Sequence, residues 1–355
     1  MKMKNLLGLG LSLALGSGIL SGCSGEQKAA SGTAPTASNA PENSSADEAA
    51  SKTGGDHHAS ESDAQKAHAH STKLDFSSVP NALPVGKTAT WTLKISDVQS
   101  GAPVNDFTVV HDKLMHLIVV KKDLSWFNHL HPNFKGDGTF TLSAALPSAG
   151  VYKIYADYTP KGKTQEVPSQ EILVSGDSTV TTRLIPDKMQ GMWMTKKVAA
   201  HPEGEPDKKG GAMYEVALMP MPVPPVAGEE AMLHFQVRDA KGKPLTDLQP
   251  YLGALGHCVV LSSDSESYLH SHPMADGAKH DMSKMGKGET MQHSTPKSGG
   301  PDVMFHTTFP TAGLYKAWGQ FKHKGQIITA AFVVNVAAAK KGATSATSQA
   351  QPHSH

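Results

Sequence analysis

The chain repeats itself. Gly86-Lys87-Thr88-Ala89-Thr90-Trp91-Thr92-Leu93-Lys94-Ile95-Ser96-Asp97 aligns with Gly228-Glu229-Glu230-Ala231-Met232-Leu233-His234-Phe235-Gln236-Val237-Arg238-Asp239. Further on, Leu146-Pro147-Ser148-Ala149-Gly150-Val151-Tyr152-Lys153 aligns with Phe309-Pro310-Thr311-Ala312-Gly313-Leu314-Tyr315-Lys316. A duplication of about 100 residues per copy means that one fold is built twice. Apolar residues alternate at period two through Trp91, Leu93 and Ile95, and again through Leu233, Phe235 and Val237, the signature of a strand with one buried face. Lys73-Leu74-Asp75-Phe76 answers Glu215-Val216-Ala217-Leu218 in the same way, and Gly101-Ala102-Pro103 and Gly242-Lys243-Pro244 supply turns. No stretch carries a long helical period. The expected fold is all-β: two tandem immunoglobulin-like antiparallel β-sandwiches, residues 72–176 and 213–337, joined by a Met-containing connector, 177–212. A length of 355 residues with 38 % apolar content suffices for two cores.

Gly150-Val151-Tyr152 and Gly313-Leu314-Tyr315 each predict a corner in which the tyrosine hydroxyl bonds back to backbone as a strand begins. With Pro-x-x-Gly-x-Tyr leading into alternating strands, and histidines on a preceding hairpin, residues 72–176 and 213–337 resemble the YtkA-like and CopC-like secreted bacterial β-sandwich proteins. That resemblance implies a surface location, and for some members a link to copper handling. It supplies no ligand set, because the histidine pattern here matches none assigned to that family.

That pattern also occurs twice. His116 is followed 13 residues later by His129-Leu130-His131-Pro132, and His257 by His270-Ser271-His272-Pro273 at the same spacing. A tight turn at Lys122-Asp123 sets His116 opposite His129, and residues two apart on a strand share its face, so His116, His129 and His131 converge. A turn at Ser263-Asp264 does the same for His257, His270 and His272. Three neutral imidazoles on a rigid surface suit copper, with zinc or nickel as alternatives. A His-x-His-Pro corner that pins a loop through ring hydrogen bonds is the competing explanation. The two readings stay open on sequence grounds.

The copies are displaced by 141 residues at the histidines and by 163 at Pro147 and Pro310, so the second contains a 22-residue insertion. The insertion falls within a Met/His loop, residues 275–300, that holds His280, Met282, Met285, Met291 and His293, and thioethers favour Cu(I). The connector adds Met189, Met192 and Met194 around Trp193, then Met213, Met219 and Met221 follow. Methionine in an exposed segment buries nothing, which moves the expectation from a generic metal to copper.

The ends set the location. Met1-Lys2-Met3-Lys4 precedes an apolar run from Leu6 to Leu20 that is too short to span a bilayer, and Leu20-Ser21-Gly22-Cys23 resembles a bacterial lipobox. Residues 1–22 are expected to be a lipoprotein signal peptide, with Cys23 lipidated and anchoring the chain to a bacterial membrane on its extracytoplasmic side. Residues 23–71 read as a disordered linker bearing His57, His58, His68 and His70, and residues 338–355 as a disordered tail. Loss of residues 1–22 moves the formal charge from +1 to −1, which gives no electrostatic case for nucleic acid. Cys258, alone once Cys23 is lipidated, is expected to be a small buried residue.

No nucleophile elbow, phosphate loop or paired acid is present, so the expectation is a binding protein rather than an enzyme. It would sequester metal or pass it between donor and acceptor proteins, through one histidine site per sandwich. The alternative is a tandem immunoglobulin-like surface binding or adhesion module with structural histidines.

Overall fold

The structure, a computed structural model, describes residues 70–177, 181–271, 273 and 298–339, all of them within one compact unit. It is all-β, with no helix among the described residues. The first sandwich is built from β1 (Thr72–Val79), β2 (Ala89–Asp97), β3 (Phe107–Thr108), β4 (His116–Lys121), β5 (Phe127–Leu130), β6 (Asn133–Gly136), β7 (Thr139–Ala144), β8 (Gly150–Asp157), β9 (Thr159–Pro160) and β10 (Ser169–Val174). The second is built from β11 (Met194–Ala199), β12 (Met213–Met221), β13 (Glu230–Asp239), β14 (His257–Ser262), β15 (Tyr268–Ser271), β16 (Asp302–Thr308), β17 (Gly313–His323) and β18 (Gln326–Val336).

Each sandwich has two four-stranded antiparallel sheets. The orders are β1-β2-β7-β6 and β10-β8-β4-β5 in the first, and β15-β14-β17-β18 and β11-β12-β13-β16 in the second; β3 and β9 form a small extra ribbon. Trp91, Leu93 and Ile95 lie fully buried in the first core, as Leu233, Phe235 and Val237 do in the second. The expected tyrosine corners are present: Tyr152 donates to the Ser148 carbonyl and Tyr315 to the Thr311 carbonyl, each at 3.0 Å. Cys258 is a core residue whose thiol burial pushes up in pKa. The connector differs from expectation. Residues 177–212 contain β11, which pairs with β12 as an edge of the second sandwich's outer sheet, because Met194 completes that core.

A third apolar cluster decides the architecture. In β4, Leu117 and Val119 enter the first core while Ile118 and Val120 face the other way; in β14, Cys258 and Val260 enter the second core while Val259 and Leu261 face out. Ile118, Val120, Val259 and Leu261 meet in one cluster, so the β4 sheet and the β14 sheet pack face to face. A strand buried on both faces needs a continuous apolar run, and both strands have one.

The contacts exchange under a local twofold relating the copies. Phe127 stacks on Trp318 (4.8 Å, 14°) and Tyr268 on Tyr155 (5.1 Å, 24°). Lys153 donates to the Ser265 carbonyl at 2.9 Å and Lys316 to the Leu124 carbonyl at 2.7 Å, each lysine capping the other copy's hairpin turn.

Candidate metal centre

The hairpins place the histidines. Ile118 pairs with His129 and Leu117 with Leu130. Extended by one step, that register opposes His116 to His131, two residues off the expected His116–His129 pairing. The cause is a four-residue turn. Lys121 N–H bonds the Trp126 carbonyl at 3.0 Å, the Asp123 carboxylate accepts from Ser125 N–H, and Leu124 sits at φ 57 with its side chain buried. The second hairpin makes the same correction: Val259 pairs with His270, and Ser265 at φ 61 holds the place of Leu124. A shift of two preserves the face of every side chain, so the convergence survives.

The larger departure is that the described histidines of the two copies lie together: His116, His129 and His131 of the first and His257 and His270 of the second project from the two sheet faces that pack together, and their rings meet. All six ring-centroid separations among His116, His129, His257 and His270 fall between 5.2 and 6.2 Å. His131 adds its ring at 4.7 Å from His129 and 5.2 Å from His116. Among the described residues, one ring nitrogen each from His116, His129 and His131 lies within 4.8 Å of the others. His272 lies outside the described residues, as do Cys23, His280, Met282, Met285, Met291 and His293.

The proton on each ring follows from its outer partner. His116 Nε2–H donates to the Val110 carbonyl at 3.1 Å, which leaves Nδ1 a lone pair. His129 is fixed by a longer relay. His201 Nδ1–H donates to the Pro202 carbonyl (2.8 Å), so His201 Nε2 accepts from the Thr329 hydroxyl (2.9 Å). Thr329 Oγ1 in turn accepts from Gln320 Nε2 (3.2 Å), which orients Gln320 Oε1 to accept from His129 Nδ1–H (2.9 Å). His129 Nε2 is therefore a lone pair, 3.0 Å from the lone pair on His116 Nδ1. His131 Nδ1–H donates to the Glu203 carboxylate at 3.1 Å, and its Nε2 is buried with no hydrogen-bond partner.

Two lone pairs in contact and a third buried beside them repel, unless a cation sits between them. A metal bound at 2.0–2.1 Å by two imidazoles sets their nitrogens roughly 3.3 Å apart, close to the observed 3.0 Å. Outer hydrogen bonds that hold the tautomer and aim the inner nitrogen are the usual support of a histidine metal ligand.

In the second copy His257 and His270 mirror this with the partners swapped. His257 Nε2–H donates to the Tyr251 carbonyl at 2.9 Å, six residues upstream as Val110 is of His116. His270 Nδ1–H donates to Asp157 of the first sandwich at 2.9 Å, whereas His129 donates to Gln320 of the second. Asp157 and Gln320 are the same position in the two copies, five residues after the corner tyrosine. Each sandwich thus orients the other's histidine.

Burial keeps the rings neutral. It lowers the pKa of His116 to about 3, with the other histidines adding to the shift, and holds His129 and His257 well below the ordinary value of 6.5. His131 is lowered by burial, opposed by Glu203. Burial also pushes Asp157 up, but the hydrogen bonds it accepts from His270 and Gln165 outweigh this and hold it below the usual carboxylate range.

Sequence reasoning did not single out His111, whose ring lies 5.7 Å from His257 and whose pKa burial lowers to about 4. Nor did it find Asp157, Gln320, Glu203, His201 or Thr329. Asp157 and Gln320 had a signal: each is a polar residue at matching repeat positions in an otherwise apolar strand.

One sequence family matches residues 64–171 and 208–338, most of the described chain. The chain belongs to the family described as a domain of unknown function, DUF8832. None of the curated proteins matches it. This DUF8832 chain is similar in structure to an Escherichia coli adhesin, with 15 % identity over 76 % of this chain and 65 % of that one and a TM-score of 0.22. It is also similar to Salmonella α2-macroglobulin, with 12 % identity, 78 % and 15 % coverage and a TM-score of 0.21. A carbohydrate-binding module of the β-sandwich superfamily gives 11 % identity, 76 % and 94 % coverage and a TM-score of 0.19. TM-scores this low carry no argument about arrangement or activity.

Proposed function

We propose that this DUF8832 chain is an extracytoplasmic, lipid-anchored protein that binds a transition metal, copper above zinc or nickel, for sequestration or transfer. The ion is held at one composite histidine centre between the sandwiches. The observation that carries the reading is the convergence of three lone pairs: His116 Nδ1 and His129 Nε2 at 3.0 Å, beside the buried and unpartnered His131 Nε2. Leaving a buried polar atom unpaired costs about 1–3 kcal/mol, a cost that an ion removes. Neutral imidazoles on a rigid sheet need no proton release to accept the ion. The His and Met content of the loop at 275–300 and of the linker favours copper. The sequence around Cys23 supplies the membrane anchor, and the resemblance to YtkA-like and CopC-like proteins belongs to the same proposal.

Loop pinning is not a rival role at His116. The ring pins Val110 with Nε2 while Nδ1 faces His129.

The test is metal analysis and titration of the full chain made without a histidine tag. The wild type should retain a divalent ion that His129→Ala with His131→Ala loses. Equal metal content in both proteins, with a lower melting temperature in the double variant, would assign the histidines a structural role and favour the adhesion module.

A further inference from the structure

The outer sheet of the second sandwich carries something that its counterpart in the first lacks. On β12, β13 and β16 alternate residues point away from the core, and the register aligns them in rows across the three strands. Met219 pairs with His234, and His234 with Met304. In the next row Met221 pairs with Met232, and Met232 with His306. Directly opposed side chains have Cβ atoms about 5 Å apart, so four thioethers and two imidazoles share one patch.

The duplication provides an internal control. The rows in the first sandwich that correspond by the repeat alignment are Ser77–Thr92–Thr141 and Val79–Thr90–Ser143, paired by the same ladder. Hydroxyl and β-branched residues are what an exposed strand face ordinarily carries; methionine is not a strong strand former. Met304 is 41 % exposed, so core packing does not account for it.

Both imidazoles are also oriented as ligands are. His234 Nε2–H donates to Asp302 at 2.8 Å and His306 Nδ1–H to Glu230 at 2.7 Å. His234 Nδ1 and His306 Nε2 are left as lone-pair nitrogens. Trp193 packs edge-on against His234 at 5.0 Å.

We infer that the outer face of β12, β13 and β16 is a separate binding site for a soft monovalent d10 cation, Cu(I), formed by thioethers of Met219, Met221, Met232 and Met304 with the imidazoles of His234 and His306. Thioether donors select Cu(I) over the harder divalent ions, which the all-imidazole centre suits instead. The site stands independently of that centre, from which the second core separates it.

The experiment titrates the full chain with Cu(I) under anaerobic, reducing conditions against a chromophoric Cu(I) chelator. Met219→Ser with His234→Thr and Met304→Thr installs residues that the first sandwich already carries in the same ladder. This variant should lose one tightly held equivalent of Cu(I), or bind it at least tenfold more weakly, while retaining the divalent ion. His129→Ala with His131→Ala should do the reverse. His234→Thr alone, with an unchanged circular dichroism spectrum, keeps the test valid if the triple variant folds poorly, and should also weaken Cu(I) at least tenfold. Wild-type Cu(I) stoichiometry and affinity in a folded variant would overturn the assignment, as would loss of the same equivalent in the His129, His131 variant alone.

Discussion

Acidification should destabilise the metal-free protein in a pH range where few carboxylates titrate. His116, His129 and His257 are buried and neutral in the native state, with folded pKa values far below the 6.5 they regain on unfolding. The unfolded chain therefore binds protons that the folded chain refuses. Stability is full above about pH 6.5 and falls as pH drops from 6.5 towards the folded value, about 3 for His116. At pH 5.5 each ring costs roughly 1.4 kcal/mol relative to pH 7.5, so three cost about 4 kcal/mol, a large part of a typical folding free energy of about 5–15 kcal/mol. Asp157 and Glu203 favour protonation of this cluster and Lys113 opposes it, but burial dominates. Carboxylates held low by their partners, such as Asp157 and Glu166, lose their contribution only at more acid pH. The assay is urea unfolding of chelator-treated protein followed by tryptophan fluorescence, since Trp318 lies in the sheet–sheet interface. With an m value of about 3 kcal/mol/M, the midpoint should fall by about 1.3 M between pH 7.5 and 5.5. A midpoint constant to within about 0.3 M would refute the reasoning, because the rings would then be protonated or exposed in the native state.

Gln320→Leu should break the relay that leaves His129 Nε2 deprotonated and weaken the divalent ion by about 10–100-fold, whereas Gln320→Glu, a carboxylate like the equivalent Asp157, should restore most of the affinity; competition titration measures both. Trp318→Ala removes the stack on Phe127 and should cost about 3–5 kcal/mol in denaturant unfolding, and it should also weaken the ion, because the two sheets hold opposite sides of the centre.

Much of the fold was legible in the chain because strand structure is a local property. Period-two alternation marks which residues of β2 and β13 face a core, and the Gly-x-Tyr corners fix where β8 and β17 begin. Face parity was legible as well: the turn centre was misjudged by one residue, which moves the register by two and returns each described histidine to the same side. The continuous apolar runs Leu117-Ile118-Val119-Val120 and Cys258-Val259-Val260-Leu261 also carried the information that both faces of β4 and β14 are buried. They did not carry what covers the outer face. That depends on the complementarity of two whole sheets, in which Phe127 meets Trp318 and Tyr155 meets Tyr268 across some 110–190 residues of chain.

The sequence by itself determined two copies of one sandwich, three histidines at equal spacing in each, and a second copy richer in methionine. Only the tertiary structure decided that the two histidine faces are the same place, with Asp157 and Gln320 exchanged between copies to orient them. The physical reason is that a pattern along the chain specifies which way a side chain points, whereas the partner it meets there is specified by packing between elements far apart in sequence.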